Sequence, residues 1–127
     1  MLVRITIMVM RLSVLTALIL GILFWANVIG GPRLVDLHMG FGILVALSLL
    51  TLAYAISTIK GGAISLAIIA VVLAIVMTAL GWGQQYILIG SSFRWIIQAL
   101  HLLLGLLAIA TGEMIAGRYK RLRAVAA

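Results

Sequence analysis

Two imidazoles sit inside otherwise apolar sequence, His38 and His101, 63 residues apart. A ring with a polar edge is costly among residues of this kind, so each is a functional candidate by default. Each is followed four residues later by a glycine, Gly42 and Gly105, so both segments read H-x-x-x-G. On a helix, residue i+4 lies on the same face one turn along, which leaves a flat recess beside each ring. Two imidazoles at matched depth, each with a recess, suit a planar macrocycle held between helices with an axial nitrogen on either side, the ligation of a b-type haem. Glycines and interfacial histidines also serve plain helix packing, and either histidine alone reads that way. The matched pair favours the ligand reading. Zinc or copper fits less well, because only two nitrogen ligands are present and the chain has no cysteine.

The polar residues nearby can serve the same site. Arg33 and Arg94 precede the two histidines by five and seven residues. Either can pair with a propionate as a charged fork or extend to the membrane surface. Gln98, one turn before His101, can bond a propionate or a neighbouring helix. Asp36 can orient His38, pair with an arginine or favour the start of its helix, and it is the one candidate for acid–base catalysis. Glu113 is expected to pair with a basic residue near the far end of the last helix. Val45, Ala108 and Gly112 continue the histidine faces with small side chains.

The elements that position these groups follow from composition. The chain has 127 residues, 66% hydrophobic and 9% charged, with a mean hydropathy of +1.38, against roughly 45–50% apolar residues in a soluble domain. A water-soluble protein is excluded. Four apolar runs, at about 7–29, 35–59, 63–83 and 93–117, are each long enough to cross a bilayer as a helix and too long for barrel strands. The expected fold is all-α: one integral membrane four-helix transmembrane bundle over residues 1–127. Gly30-Gly31-Pro32, Lys60-Gly61-Gly62 and the segment around Gly90-Ser91-Ser92 mark the turns. The interval between the two H-x-x-x-G segments suggests that helices one and two repeat as helices three and four.

Cysteine is absent, which removes disulfides, thiol nucleophiles, cysteine-held clusters and covalent c-type haem. The net charge of +7 sits at the ends of the apolar runs, which argues for topology and against nucleic acid. Arg4, Arg11, Lys60, Arg118, Lys120, Arg121 and Arg123 fall on one side, and only Arg33 and Arg94 on the other. Both termini are therefore expected in the cytoplasm of a cell-membrane protein. Trp25, Trp82, Trp95 and Tyr86 then lie near the outer interface. The first run is too long for a signal peptide's apolar region and lacks an A-x-A site, so it reads as a retained helix.

With these residues in place, the chain resembles the haem A synthase family, whose members look like two fused four-helix modules with a histidine opening the second and fourth helix of each. The likeness covers about one module, most of this chain. It is carried by Gly30-Gly31-Pro32-Arg33-Leu34, similar to the family's G-G-x-x-R-L segment, by His38, by Ala99-Leu100-His101, and by the interval between the histidines. The resemblance implies a haem site at His38 and His101. The sequence departs from the family's catalytic module at Val35 and Met39, where that module has an acid and an arginine, and Asp36 is the only nearby substitute.

The leading expectation is a bis-histidine cytochrome b with one haem b per chain, exchanging electrons with a quinol or a membrane redox partner. A compact haem A synthase-like oxidase acting on a haem methyl group is the enzymatic alternative. A non-enzymatic anchor or assembly subunit of a respiratory or photosynthetic complex, with the histidines holding a chlorophyll-type pigment, is the third. The lipid bilayer is a partner in every case, and a homo-oligomer or a larger membrane complex is compatible with all three. No hydrolytic triad, phosphate loop or transporter-like pair of broken helices is present.

Overall fold

A computed structural model describes residues 1–86 and 92–126 and shows four helices in order: α1 (Leu2–Trp25), α2 (Pro32–Thr58), α3 (Ile64–Tyr86) and α4 (Arg94–Ala126). All four are long and apolar enough to span a membrane. The expected all-α, four-helix transmembrane bundle is what the chain forms, and the described residues contain no strand. Its outward faces carry large apolar side chains such as Leu12, Leu47, Ile68 and Leu107, the surface a lipid bilayer covers. Several threonine hydroxyls within the spans are satisfied by their own helices, as Thr16 donates to the Leu12 carbonyl and Thr51 to that of Leu47.

Local chemistry sets the helix ends. α1 stops at Trp25, short of the expected 29, because Asn27 adopts a left-handed φ of 55°. Asn27 N–H then bonds the Phe24 carbonyl and Val28 N–H the Leu23 carbonyl, closing the helix with a Schellman pattern. α2 begins at Pro32, three residues before the expected Val35, since proline's fixed φ and missing N–H suit the first helical position. Asp36 is thereby moved beyond the first turn, which contains no acidic residue, so it does not favour the helix start as the later boundary implied. Between α2 and α3, Gly61 takes φ 75°, and a Cβ on Gly62 would overlap the Ile56 carbonyl oxygen. α4 runs past the expected 117 to Ala126, for Arg118–Arg123 is good helix-forming sequence with no breaker after Gly117. Gly90 and Ser91, of the expected last turn, lie outside the described residues.

α2 packs against all three other helices, and α1 and α3 do not touch. The histidine-bearing helices α2 and α4 therefore form the short diagonal of the bundle. Packing is uneven along its length. Met10, Leu49, Leu52, Ile56, Ala108 and Ile115 are fully enclosed, and all lie toward the end that carries both termini. In the opposite half, α1 beyond Ser13, α2 before Val45, α3 beyond Met77 and α4 before Ala108 contain no buried residue. The bundle is close-packed at one end and parted at the other.

Between α1 and α4, Arg11 donates from Nε to Glu113 Oε1 at 2.6 Å and from Nη2 to Oε2 at 2.8 Å. Glu113 thus has the basic partner the sequence called for. Arg11, counted with the basic residues of the N-terminal side, lies within α1. The two side chains remain 58% and 41% exposed at the bundle surface.

Candidate functional site

The parted half encloses a cavity of about 360 Å³, within the range of about 300–1,000 Å³ usual for small-molecule and cofactor sites. His38 and His101 enter it from α2 and α4, with ring centroids 6.2 Å apart and planes inclined by 50°. Two imidazoles sharing one ion in line, with metal–nitrogen bonds of about 2.0–2.1 Å and about 1.1 Å from nitrogen to centroid, have centroids about 6.3 Å apart. The observed centroid spacing is close to that value. Among the described residues no group of three or more His, Asp or Glu is assembled, so a closed structural zinc site is not built.

Gly42 and Gly105 line the same cavity, and a Cβ added at either meets nothing within 4 Å. They border open space, as the H-x-x-x-G spacing implied. The recess does not continue to Gly112: Met10 fills that notch, its Sδ 2.6 Å from where a Cβ would stand. Val45 and Ala108 are buried, and the cavity closes at their level. Arg94 and Gln98 also face the cavity from the start of α4, bringing a guanidinium and an amide to its rim. Arg33 and Asp36 are exposed near the start of α2 and are not among its walls. The structure therefore brings together His38, His101, Gly42, Gly105, Arg94 and Gln98, and leaves Arg33 and Asp36 outside.

Several wall residues were not read from the sequence. Gly21 on α1 lies against the His38 ring, a Cβ there being 3.3 Å from Cε1, and Gly81 on α3 lies against His101 at 3.2 Å. Phe24 meets the His38 ring edge-on at 5.8 Å. Gln84 and Gln85 add two amides from the end of α3. The signal for the glycines was the repeat itself: Gly21 and Gly81 are 60 residues apart, close to the histidine interval. The two halves thus make the same local unit, a histidine on the even helix resting on a glycine of the odd helix before it. Among the described residues the buried Nδ1 of each ring has no hydrogen-bond partner.

No protein-family model, curated protein or solved structure matches the chain. The likeness to the haem A synthase family therefore rests on the residues quoted for it.

Proposed function

We propose that the chain is an integral membrane b-type haem protein in which His38 and His101 would hold the haem iron and which carries electrons between a quinol or membrane redox partner and an acceptor. The observation that carries this reading is the placement of the two imidazoles, 6.2 Å apart across a cavity with open space beside both Gly42 and Gly105. When bound, a haem supplies a one-electron Fe(III)/Fe(II) couple. The chain's part is to hold, orient and insulate. The two histidines fix position along the bundle diagonal. Gly42 and Gly105 leave room for a flat ring, and Leu18, Ile22, Leu102 and Leu106 make most of the remaining wall apolar. Arg94 and Gln98 offer N–H donors to carboxylates at the rim.

The disposition of acids favours an electron carrier over a haem-oxidising enzyme. Asp36 is outside the cavity walls and Glu113 is engaged by Arg11, so among the described residues no carboxylate stands beside the site to move a proton. The excess of Lys and Arg at the close-packed end supports cytoplasmic termini in a cell membrane, with the cavity toward the outer leaflet.

His38→Ala and His101→Ala, expressed with adequate haem and purified in detergent, test the reading. Each variant is expected to insert normally and to lose the six-coordinate low-spin spectrum of the parent. Retention of that spectrum in both variants would falsify the assignment.

A further inference from the structure

The glycines under the two rings do more than make room. In an α-helix the carbonyl of residue i accepts the N–H of residue i+4, and a side chain at i+4 stands over that carbonyl, as Thr78 shows by donating its hydroxyl to the Ala74 oxygen at 2.7 Å. Where residue i+4 is glycine, nothing covers the carbonyl's second lone pair. Gly21 and Gly81 are the i+4 residues of Ala17 and Met77. The Ala17 carbonyl lies toward the His38 ring and the Met77 carbonyl toward that of His101. A Cβ added at either glycine would meet Cε1 most closely, with Nδ1 next at 3.9 Å from Gly21 and 3.8 Å from Gly81, where Nε2 of His101 follows at 3.9 Å.

Nδ1 of each ring is enclosed and, among the described residues, lacks a hydrogen bond of ordinary geometry. Leaving such an atom unpaired costs about 1–3 kcal/mol, and no bulk water is present at membrane depth to relieve it. A small ring rotation toward the uncovered carbonyl removes the penalty. We propose that Gly21 and Gly81 are positioning residues: each opens the carbonyl four residues before it to the Nδ1–H of the facing histidine, which fixes both rings as Nδ1–H tautomers and turns Nε2 to the cavity. What Nε2 then does rests on the haem reading of the previous subsection; the tautomer does not. For a ligating histidine, an acceptor on the far nitrogen sets ring orientation and basicity. Here that acceptor is main chain, supplied once per repeat.

The test is nitrogen NMR of the full chain in lipid nanodiscs, labelled with ¹⁵N-histidine and prepared without added haem, because ¹⁵N shifts separate the Nδ1–H from the Nε2–H tautomer. His38→Gln and His101→Gln assign the signals. Both wild-type rings are expected as Nδ1–H. Gly21→Ala, whose Cβ would press on His38 Cε1 at 3.3 Å, is expected to convert or mix the tautomers of His38 alone, and Gly81→Ala, at 3.2 Å, those of His101 alone. Gly40→Ala and Gly83→Ala, which meet nothing within 4 Å and lie outside the cavity walls, are expected to leave both rings unchanged. An Nε2–H tautomer or a mixture at either wild-type ring overturns the proposal, as does an unchanged spectrum in both Gly21→Ala and Gly81→Ala. If the alanine variants fail to insert, the wild-type tautomers decide alone. In haem-loaded protein the same substitutions are expected to shift the low-spin ferric g values, which depend on the angle between the axial ring planes. A chain that takes up no haem yet holds two Nδ1–H rings overturns the functional reading and leaves this one standing. A low-spin haem protein with Nε2–H rings does the reverse.

Discussion

Gly112→Ala is the most direct probe of the contrast between the two halves of the bundle. A Cβ at Gly112 would stand 2.6 Å from Met10 Sδ, 3.0 Å from its Cε and 3.4 Å from Leu52 Cδ1. Optimal contact between such atoms is about 3.5–4.0 Å, so the sulfur must retreat by about 1 Å. Met10 and Leu52 are both fully enclosed. Overpacking of this kind costs about 1–3 kcal/mol, a shift of roughly 5- to 150-fold in the folding equilibrium. Helix association in lipid draws on packing rather than on expulsion of water, so this penalty is not diluted by a large hydrophobic term. Gly105→Ala is the matched control on the same helix. Its Cβ meets nothing within 4 Å, and the change is expected to stay within about 0.5 kcal/mol of the parent. Unfolding in mixed micelles by steric trapping, for both variants and for Met10→Ala in each background, gives the energies and the coupling. Met10→Ala removes the atoms that the new Cβ meets, so the Gly112 and Met10 changes are expected to couple by about 1 kcal/mol or more in the compensating direction. Equal stability of Gly112→Ala and Gly105→Ala, or no coupling to Met10, would refute the picture of a bundle closed at one end and open at the other.

Further outcomes follow from single contacts. Gly62→Ala is expected to lower thermal stability more than Gly61→Ala, because its Cβ runs into the Ile56 main chain whereas Gly61 loses only its preferred φ of 75°, a strain of about 1 kcal/mol; differential scanning fluorimetry ranks them. Arg11→Gln and Glu113→Gln each leave one charge of a two-bond pair unpartnered, so the double variant is expected to melt closer to the parent than either single variant does. The chain has no cysteine, so one introduced at Ser92 is expected to react with a membrane-impermeant maleimide in intact cells while one introduced at Lys60 reacts only after permeabilisation; the opposite pattern reverses the orientation.

Much of the architecture was legible because lipid allows so few solutions: runs of this length and apolarity can satisfy their own backbone only as helices. The ends were less legible where the deciding residue was conformational. Asn27 stopped α1 by entering the left-handed region, while the more conspicuous Gly30-Gly31-Pro32 drew the expected boundary outward. Pro32 had the opposite effect, admitting α2 three residues early and carrying Asp36 out of the first turn. At the site, the H-x-x-x-G spacing put Gly42 and Gly105 on the faces that line the cavity, because histidine and glycine share one helix, where spacing maps directly onto a face. Gly21 and Gly81 escaped notice because each serves a ring on a different helix, a relation that only packing reveals. Arg33 shows the limit of counting distance from a histidine, since five residues along a helix turn a side chain well away from the ring's face.

An absorption spectrum of detergent-purified protein expressed with ample haem, taken oxidised and dithionite-reduced with the pyridine haemochrome of the same sample, tests the central claim most directly. Coordination by His38 and His101 predicts a low-spin, six-coordinate b-type spectrum in both redox states and close to one haem per chain. A colourless preparation that cannot be reconstituted with haem would contradict it, and the two imidazoles would then be packing residues of the parted half of the bundle.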